Sequence, residues 1–561
     1  MSQADRPLRA ALVRRPTFPG LALGLLFWWQ SLSPTLMPRT WVTQAAMSAI
    51  CTAIGIAIGT LLGDVLKAVL RATHRPITPP VTRGAWRVIG PLGLAVVLLG
   101  AFLWPRWQTD QRRGVSLGAL PAVQAIPMLV LTAVLLVVLV VIGRLVGRGV
   151  RRTYRALDAR MPRLVATPLT VVLVLVLTVF VFRDVLAAKL TSAADATFSV
   201  VDTTTAEGTT RPTEPTSSGS PASLVDWDDL GYQGREFAAG ATTEDELAAF
   251  HGSRDGLLRP IRAYVGLRSA GTPEARARLA VRELERTKAF DRKVLVVITV
   301  TGSGWVDPDA AVAIEQMYGG DTALVAQQYS YLPSWIAALM DPTASVEASS
   351  ALFEAVHERW EQEPEATRPQ LVVFGQSLGS YGAEAAFAGP DARASVANLV
   401  ARTEGALFTG PTKDNLIWNQ LVDAREPGSP VWLPVYDGGR HVRFANRDPE
   451  VPPLDPDWAE PRILYIQHPT DPVTFWNIPT LWRPPEWMDH PRGGGVPDRG
   501  RWFPVVTFTQ GVFDLMAGFG APPGYGHDYR LDFVAGWATV APPPGWDASR
   551  TEALQDFLRG R

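Results

Sequence analysis

The stretch 371–380, LVVFGQSLGS, decides the fold. Leu371, Val372, Val373 and Phe374 read as a strand buried on both faces, and the SYGAEAAF that follows at 380–387 suits a helix. Between them stands Gly375-Gln376-Ser377-Leu378-Gly379. A serine on so short a strand-to-helix turn takes up a strained backbone, and side chains in place of Gly375 or Gly379 would strike the neighbouring strand and helix. The helix also points its N-terminus at the serine, where negative charge is favoured. Ser377 is therefore the candidate nucleophile. The plainer alternative, a Gly-rich turn after a buried strand, does not account for the helix that follows at once.

The flanking sequence extends this into a sheet. Helices are expected at 273–290, 308–318, 344–362 and 378–388, and strands at 293–300 (KVLVVITV), 322–328, 370–374, 405–409 (GALFT), 462–467 (RILYIQ) and 504–509 (PVVTFT). Alternating β and α segments with short turns predict a doubly wound, mainly parallel sheet, the α/β-hydrolase fold, over 226–561.

A serine hydroxyl needs a base, and the base needs an orienting acid. In this fold they follow the serine in the order acid, then histidine. Asp471, in HPTDPV directly after strand 462–467, fits the acid. Asp414, in GPTKDN one strand earlier, is the alternative, and either could be a turn aspartate bonding its own backbone. Of His441, His468, His490 and His527, only His527, in the Gly-rich GYGHDY, keeps the order with Asp471. His468 lies three residues before Asp471 and reads as a supporting residue, while His490 and His441 fall in long loops. The oxyanion hole is expected from the N–H of Leu378 and from Gly302 and Ser303 in the turn Thr301-Gly302-Ser303-Gly304, although such a turn is common without that role.

Five apolar segments precede this part: 18–37, 43–63, 88–104, 122–143 and 166–182. The last four lack Asp, Glu, Lys and Arg and approach the ~20 residues that span a bilayer. Segment 18–37 is interrupted by Pro19, Gln30, Ser31, Ser33 and Pro34 and has a signal peptide as its rival reading, with no cleavage site promptly after it. Arginines at 6, 9, 14 and 15 and the basic loops 64–87 and 144–165 mark the inner side, which places everything after 186 outside the membrane. The spans carry no ionisable residue of the kind that marks an ion pathway. Residues 187–225, rich in Ser, Thr and Pro, read as a flexible linker.

The net charge of −1 gives no reason to expect a nucleic-acid partner, and the one cysteine, Cys51, reads as a small buried hydrophobe. No dinucleotide fingerprint, P-loop, HExxH or Cys/His metal spacing is present, so neither cofactor nor metal is expected. Trp418, Trp432, Trp458, Trp476, Trp482, Trp487 and Trp502 crowd two long loops, either as a lid and acyl pocket or as small local cores.

With its spans at 18–186 followed by GQSLGS, HPTDPV and GYGHDY, the chain resembles a bacterial family, frequent in actinobacteria, of membrane-anchored α/β-hydrolases once catalogued as a domain of unknown function. The resemblance implies a Ser-Asp-His hydrolase, with Ser377, Asp471 and His527 matching those roles in order. The partners expected are the lipid bilayer and a small-molecule or lipid ester. An acyltransferase or peptidase with the same three residues, and an inactive membrane scaffold or transport component, are the rivals.

Overall fold

Strand β2 (Val294–Thr299) is aliphatic along almost its whole length because helices cover both its faces. It is one of seven strands: β1 (Ile261–Val265), β3 (Thr322–Gln327), β4 (Gln370–Gln376), β5 (Gly405–Thr409), β6 (Val442–Ala445) and β7 (Arg462–Ile466) complete the sheet. All pair in parallel, in the order β1-β3-β2-β4-β5-β7-β6. The computed structural model describes residues 17–73, 79–180, 197–447, 450–451 and 457–560. The arginines at 6–15, residues 181–182 of the fifth apolar segment and linker residues 187–196 lie outside them.

Chain order reverses between β2 and β4: β3 lies outside β2, and β4 returns to its other side with Thr299 level with Gly375. Doubly wound sheets bind ligands at such a switch point, beyond the C-terminal ends of the strands. The turn 301–304 and Ser377 leave β2 and β4 there.

Five expected strands correspond to β2, β3, β4, β5 and β7, whereas β1 and β6 were not expected. In β1 (IRAYV), Arg262 hides the strand pattern; it is buried because Glu315 receives it at 2.7 and 2.9 Å. The third difference is a correction. Residues 504–509 form no strand; Val506–Gly518 is a helix. Its start is β-branched and aromatic like a strand, but the helix runs on through Gln510 and Asp514 to Gly518, and periodicity over so short an apolar run does not separate a buried strand from a buried helix.

The chain divides into two units, Met1–Lys189 with Trp476–Pro522, and Leu190–Phe475 with Pro523–Arg561. The expected hydrolase part, 226–561, is thereby divided, because residues 476–522 pack with the N-terminal helices. There Val506 joins Phe27, Met47 and Cys51 in one core, and Asp514 takes Arg39 at 3.3 Å with both side chains buried. The excursion leaves the sheet unit after Asp471 and returns before His527.

Among the described residues three helices are long and apolar enough to cross a membrane: Trp41–Leu70, Gly90–Gly114 and Ala122–Asp158. Segment 18–37 is corrected to a helix of 14 residues, Phe18–Ser31, about 21 Å long at ~1.5 Å per residue and short of a ~30 Å bilayer core. It packs closely on the helix Trp41–Ala72. A Cβ at Gly59 would sit 2.3 Å from Pro19 O, and one at Gly55 2.8 Å from Leu23 O. Small residues four apart let helix backbones approach this way. Gly59→Leu is expected to lower the unfolding temperature in detergent by several degrees, an overpacking cost of about 1–3 kcal/mol, with Gly59→Ala between it and the parent. Equal unfolding temperatures for all three would show that the two helices part freely.

The described part of the expected linker is not a free tether. Ser218 N–H donates to Arg262 O at 3.0 Å and Arg262 N–H to Thr216 O at 3.1 Å, so this stretch covers the exposed edge of β1. Its serines satisfy backbone groups there, a role that composition does not reveal: Ser218 Oγ accepts from Tyr264 N–H at 3.0 Å.

Candidate active site

Ser377 connects β4 to the helix Leu378–Ala385 with φ 55° and ψ −126°. Such a backbone costs about 1–3 kcal/mol for a residue with a Cβ and persists only where its surroundings hold it. Here they do. Ser377 N–H donates to Thr409 O at 2.9 Å, Thr301 Oγ1 donates to Gln376 O at 2.7 Å, and Ser380 N–H and Oγ donate to Ser377 O at 2.9 and 2.7 Å. Both glycines are required. A Cβ on Gly375 would lie 2.6 Å from Gly379 O, and one on Gly379 2.5 Å from Thr299 O on β2. A second GxSxG, Gly114–Gly118, shows what the context contributes: it follows a helix rather than a strand, and its Ser116 is exposed.

Asp471 lies in the turn after β7 and is fully buried. Its Oδ1 accepts Val473 N–H at 2.8 Å, while Oδ2 receives both His527 Nδ1 and the Tyr529 hydroxyl at 2.7 Å. A carboxylate facing Nδ1 places the ring proton there and leaves Nε2 as the acceptor nitrogen. Burial first, and then the Asp471 charge, push the Tyr529 phenol well above its ordinary range, so it remains a donor to Asp471.

The end of β5 joins the two halves. Thr409 O holds Ser377 N–H, and the next residue, Gly410, lies against the His527 ring. Gly410 has φ +55°, and a Cβ there would stand 2.8 Å from His527 Cε1 and 2.6 Å from Tyr529 Cε2. Ser377 and His527 therefore rest on two consecutive residues. Gly410 and Tyr529 escaped the sequence reading. Their only signals are a glycine directly after a strand and an aromatic two residues beyond the histidine.

The other candidates are elsewhere. Asp414 is exposed, His441 Nδ1 faces Pro461 O at 3.2 Å, and His490 is exposed in the 476–522 excursion. His468 is buried beside Asp471, with Nδ1 2.9 Å from Gly526 O and Nε2 3.0 Å from Asp532 Oδ2. In the turn after β2, Gly302 N–H donates to Tyr329 Oη at 2.8 Å. The expected Gly302 donor is thus already engaged. Among the loop tryptophans, Trp418, Trp458 and Trp487 are buried, and Trp482 is exposed.

This geometry has a counterpart among known families. A model described as an alpha/beta-hydrolase family matches residues 261–554. The chain belongs to that family. The N-terminal part of this alpha/beta-hydrolase, residues 32–241, matches a second model, described as the alpha/beta-hydrolase family N-terminus. No curated protein and no solved structure matches the chain. The first match covers all seven strands together with Ser377, Asp471 and His527. The second reaches from the N-terminal helices into the stretch that covers β1.

Proposed function

We propose that this alpha/beta-hydrolase is a membrane-anchored serine hydrolase that cleaves a carboxylic ester through an acyl-enzyme on Ser377. The observation that carries the reading is the 2.7 Å Asp471–His527 pair, its ring seated on Gly410 one residue from the carbonyl that holds Ser377. In this reading His527 Nε2 takes the proton of Ser377 Oγ as the oxygen attacks the ester carbonyl. The N–H groups of Leu378 and Ser303 stabilise the oxyanion; Ser303 is preferred to Gly302, whose N–H is engaged. Collapse expels the alcohol, protonated by His527, and water then releases the acid by the reverse sequence. Asp471 holds the imidazole orientation throughout.

An apolar acyl group is favoured by the helix Ser334–Met340. Its first residue packs against Gly302, and it leaves Trp335 and Leu339 60 and 75% exposed. Bare surface of this kind beside a candidate site suits an alkyl chain. The three long apolar helices support the membrane anchor, and the basic loops 64–87 and 144–165 support an extracytoplasmic catalytic part.

A fluorophosphonate probe tests the chemistry. Wild-type protein is expected to be labelled on Ser377, and labelling elsewhere, or none, overturns the reading in favour of an inactive scaffold. Incubation of an ester with and without an alcohol acceptor then separates hydrolysis from acyl transfer. A reporter fused after residue 225 tests the orientation, which fails if the reporter is active only in the cytoplasm.

A further inference from the structure

A second histidine–aspartate pair lies directly behind the first. His468 and Asp532 are both fully buried, 3.0 Å apart. The other ring nitrogen, Nδ1, lies 2.9 Å from Gly526 O, the carbonyl that immediately precedes His527. A carbonyl can only accept, so Nδ1 carries a proton and donates it. The ring is further pinned by stacking on Tyr529, with centroids 4.1 Å apart and planes 13° apart. Tyr529 in turn joins the two pairs: its oxygen accepts His468 N–H at 3.1 Å, and its hydroxyl donates to Asp471 Oδ2 at 2.7 Å. Gly526 N–H donates to Thr470 Oγ1 at 2.9 Å, so both backbone groups of the residue before His527 are tied to the HPTD turn.

We infer that His468 is a positioning residue, which fixes the Gly526 carbonyl and thereby holds His527 on Asp471. The inference rests on the proposed role of His527 as base. Its physical content is rotational. The Asp471 bond defines one end of the imidazole but leaves the loop that carries it free to shift, and Gly524, Gly526 and Gly520 give that loop little stiffness of its own. The Gly526 tether removes this freedom, and Asp532 sets the rotation of the ring that supplies the tether.

Two conservative variants separate the two bonds of His468. The amide nitrogen of Asn occupies the place of Nδ1 and keeps the bond to Gly526, whereas that of Gln occupies the place of Nε2 and keeps the bond to Asp532. His468→Gln is expected to lower kcat about 10- to 100-fold with KM unchanged, as a misplacement of about 1 Å does, and His468→Asn to retain most of the activity. Wild-type kcat in His468→Gln overturns the inference. So does an equal loss in both variants that follows their unfolding temperatures, since a purely structural ring would behave that way. A crystal structure of His468→Gln reads the same point without turnover: His527 is expected to move off Asp471, and an unchanged pair overturns the inference. Absence of Ser377-dependent turnover in the wild type would count against the proposed hydrolase instead, while leaving that structural readout in force.

Discussion

Ser377→Ala is expected to lower kcat for a short p-nitrophenyl ester by about 10^4- to 10^6-fold, the range found when a serine nucleophile acting with its base is removed. The loss corresponds to roughly 5.5–8 kcal/mol of transition-state stabilisation. Folding should be nearly untouched. The strained turn at 377 is held by the Thr409 carbonyl, the Ser380 N–H and hydroxyl, the Thr301 hydroxyl and the close passage of Gly375 and Gly379, none of which depends on the Ser377 hydroxyl. Far-UV circular dichroism and thermal unfolding should therefore match the parent. Turnover within tenfold of wild type would remove Ser377 from the mechanism. The same loss accompanied by unfolding would show only that the turn needs its serine.

The second large effect is expected at Asp471. Asp471→Asn preserves the shape of the carboxylate but places an amide where two donors, His527 Nδ1–H and the Tyr529 hydroxyl, now converge on Oδ2. The amide oxygen keeps the Val473 N–H, which occupies Oδ1, only if the NH2 group takes the place of Oδ2; there it can only donate, so His527 Nδ1 must become the acceptor and the ring proton moves to Nε2. That tautomer cannot accept a proton from Ser377, and a loss of about 10^4-fold in kcat is expected at neutral pH. Asp414→Asn is the control. Asp414 is exposed in the turn after β5 and should change kcat less than twofold, within the range of a surface substitution. Reversal of the two results would exchange their roles.

The elements legible in the sequence share one property: their physical cause is local. The β4 strand and the helix at 378 show because a doubly buried strand is uniformly apolar and a sharp turn needs glycine on both sides. The three long helices show because each carries a long, nearly uninterrupted apolar run. The pairing of Asp471 with His527 could be read because one directly follows a strand and the other stands in a Gly-rich loop. Residues whose reason lies far away in the chain could not be read. Arg262 disguises β1 as a polar loop until Glu315 is seen beside it, and Ser218 looks like linker until it is seen against the edge of that strand. PVVTFT reads as a strand until the helix it begins is found packed on residues 27–51, more than 450 positions earlier.

Ser377 on its strand-to-helix turn, the parallel α/β pattern around it and the apolar helices ahead of it were thus determined by the sequence alone, through steric and solvation rules that act within a dozen residues. Only the tertiary structure decided that Gly410 seats the imidazole, that Tyr529 shares the Asp471 carboxylate and that His468 holds the carbonyl before His527. Each of these is a hydrogen bond or a close approach between segments more than fifty residues apart. No local propensity encodes such a meeting, because it exists only once the sheet has brought the ends of β5 and β7 side by side.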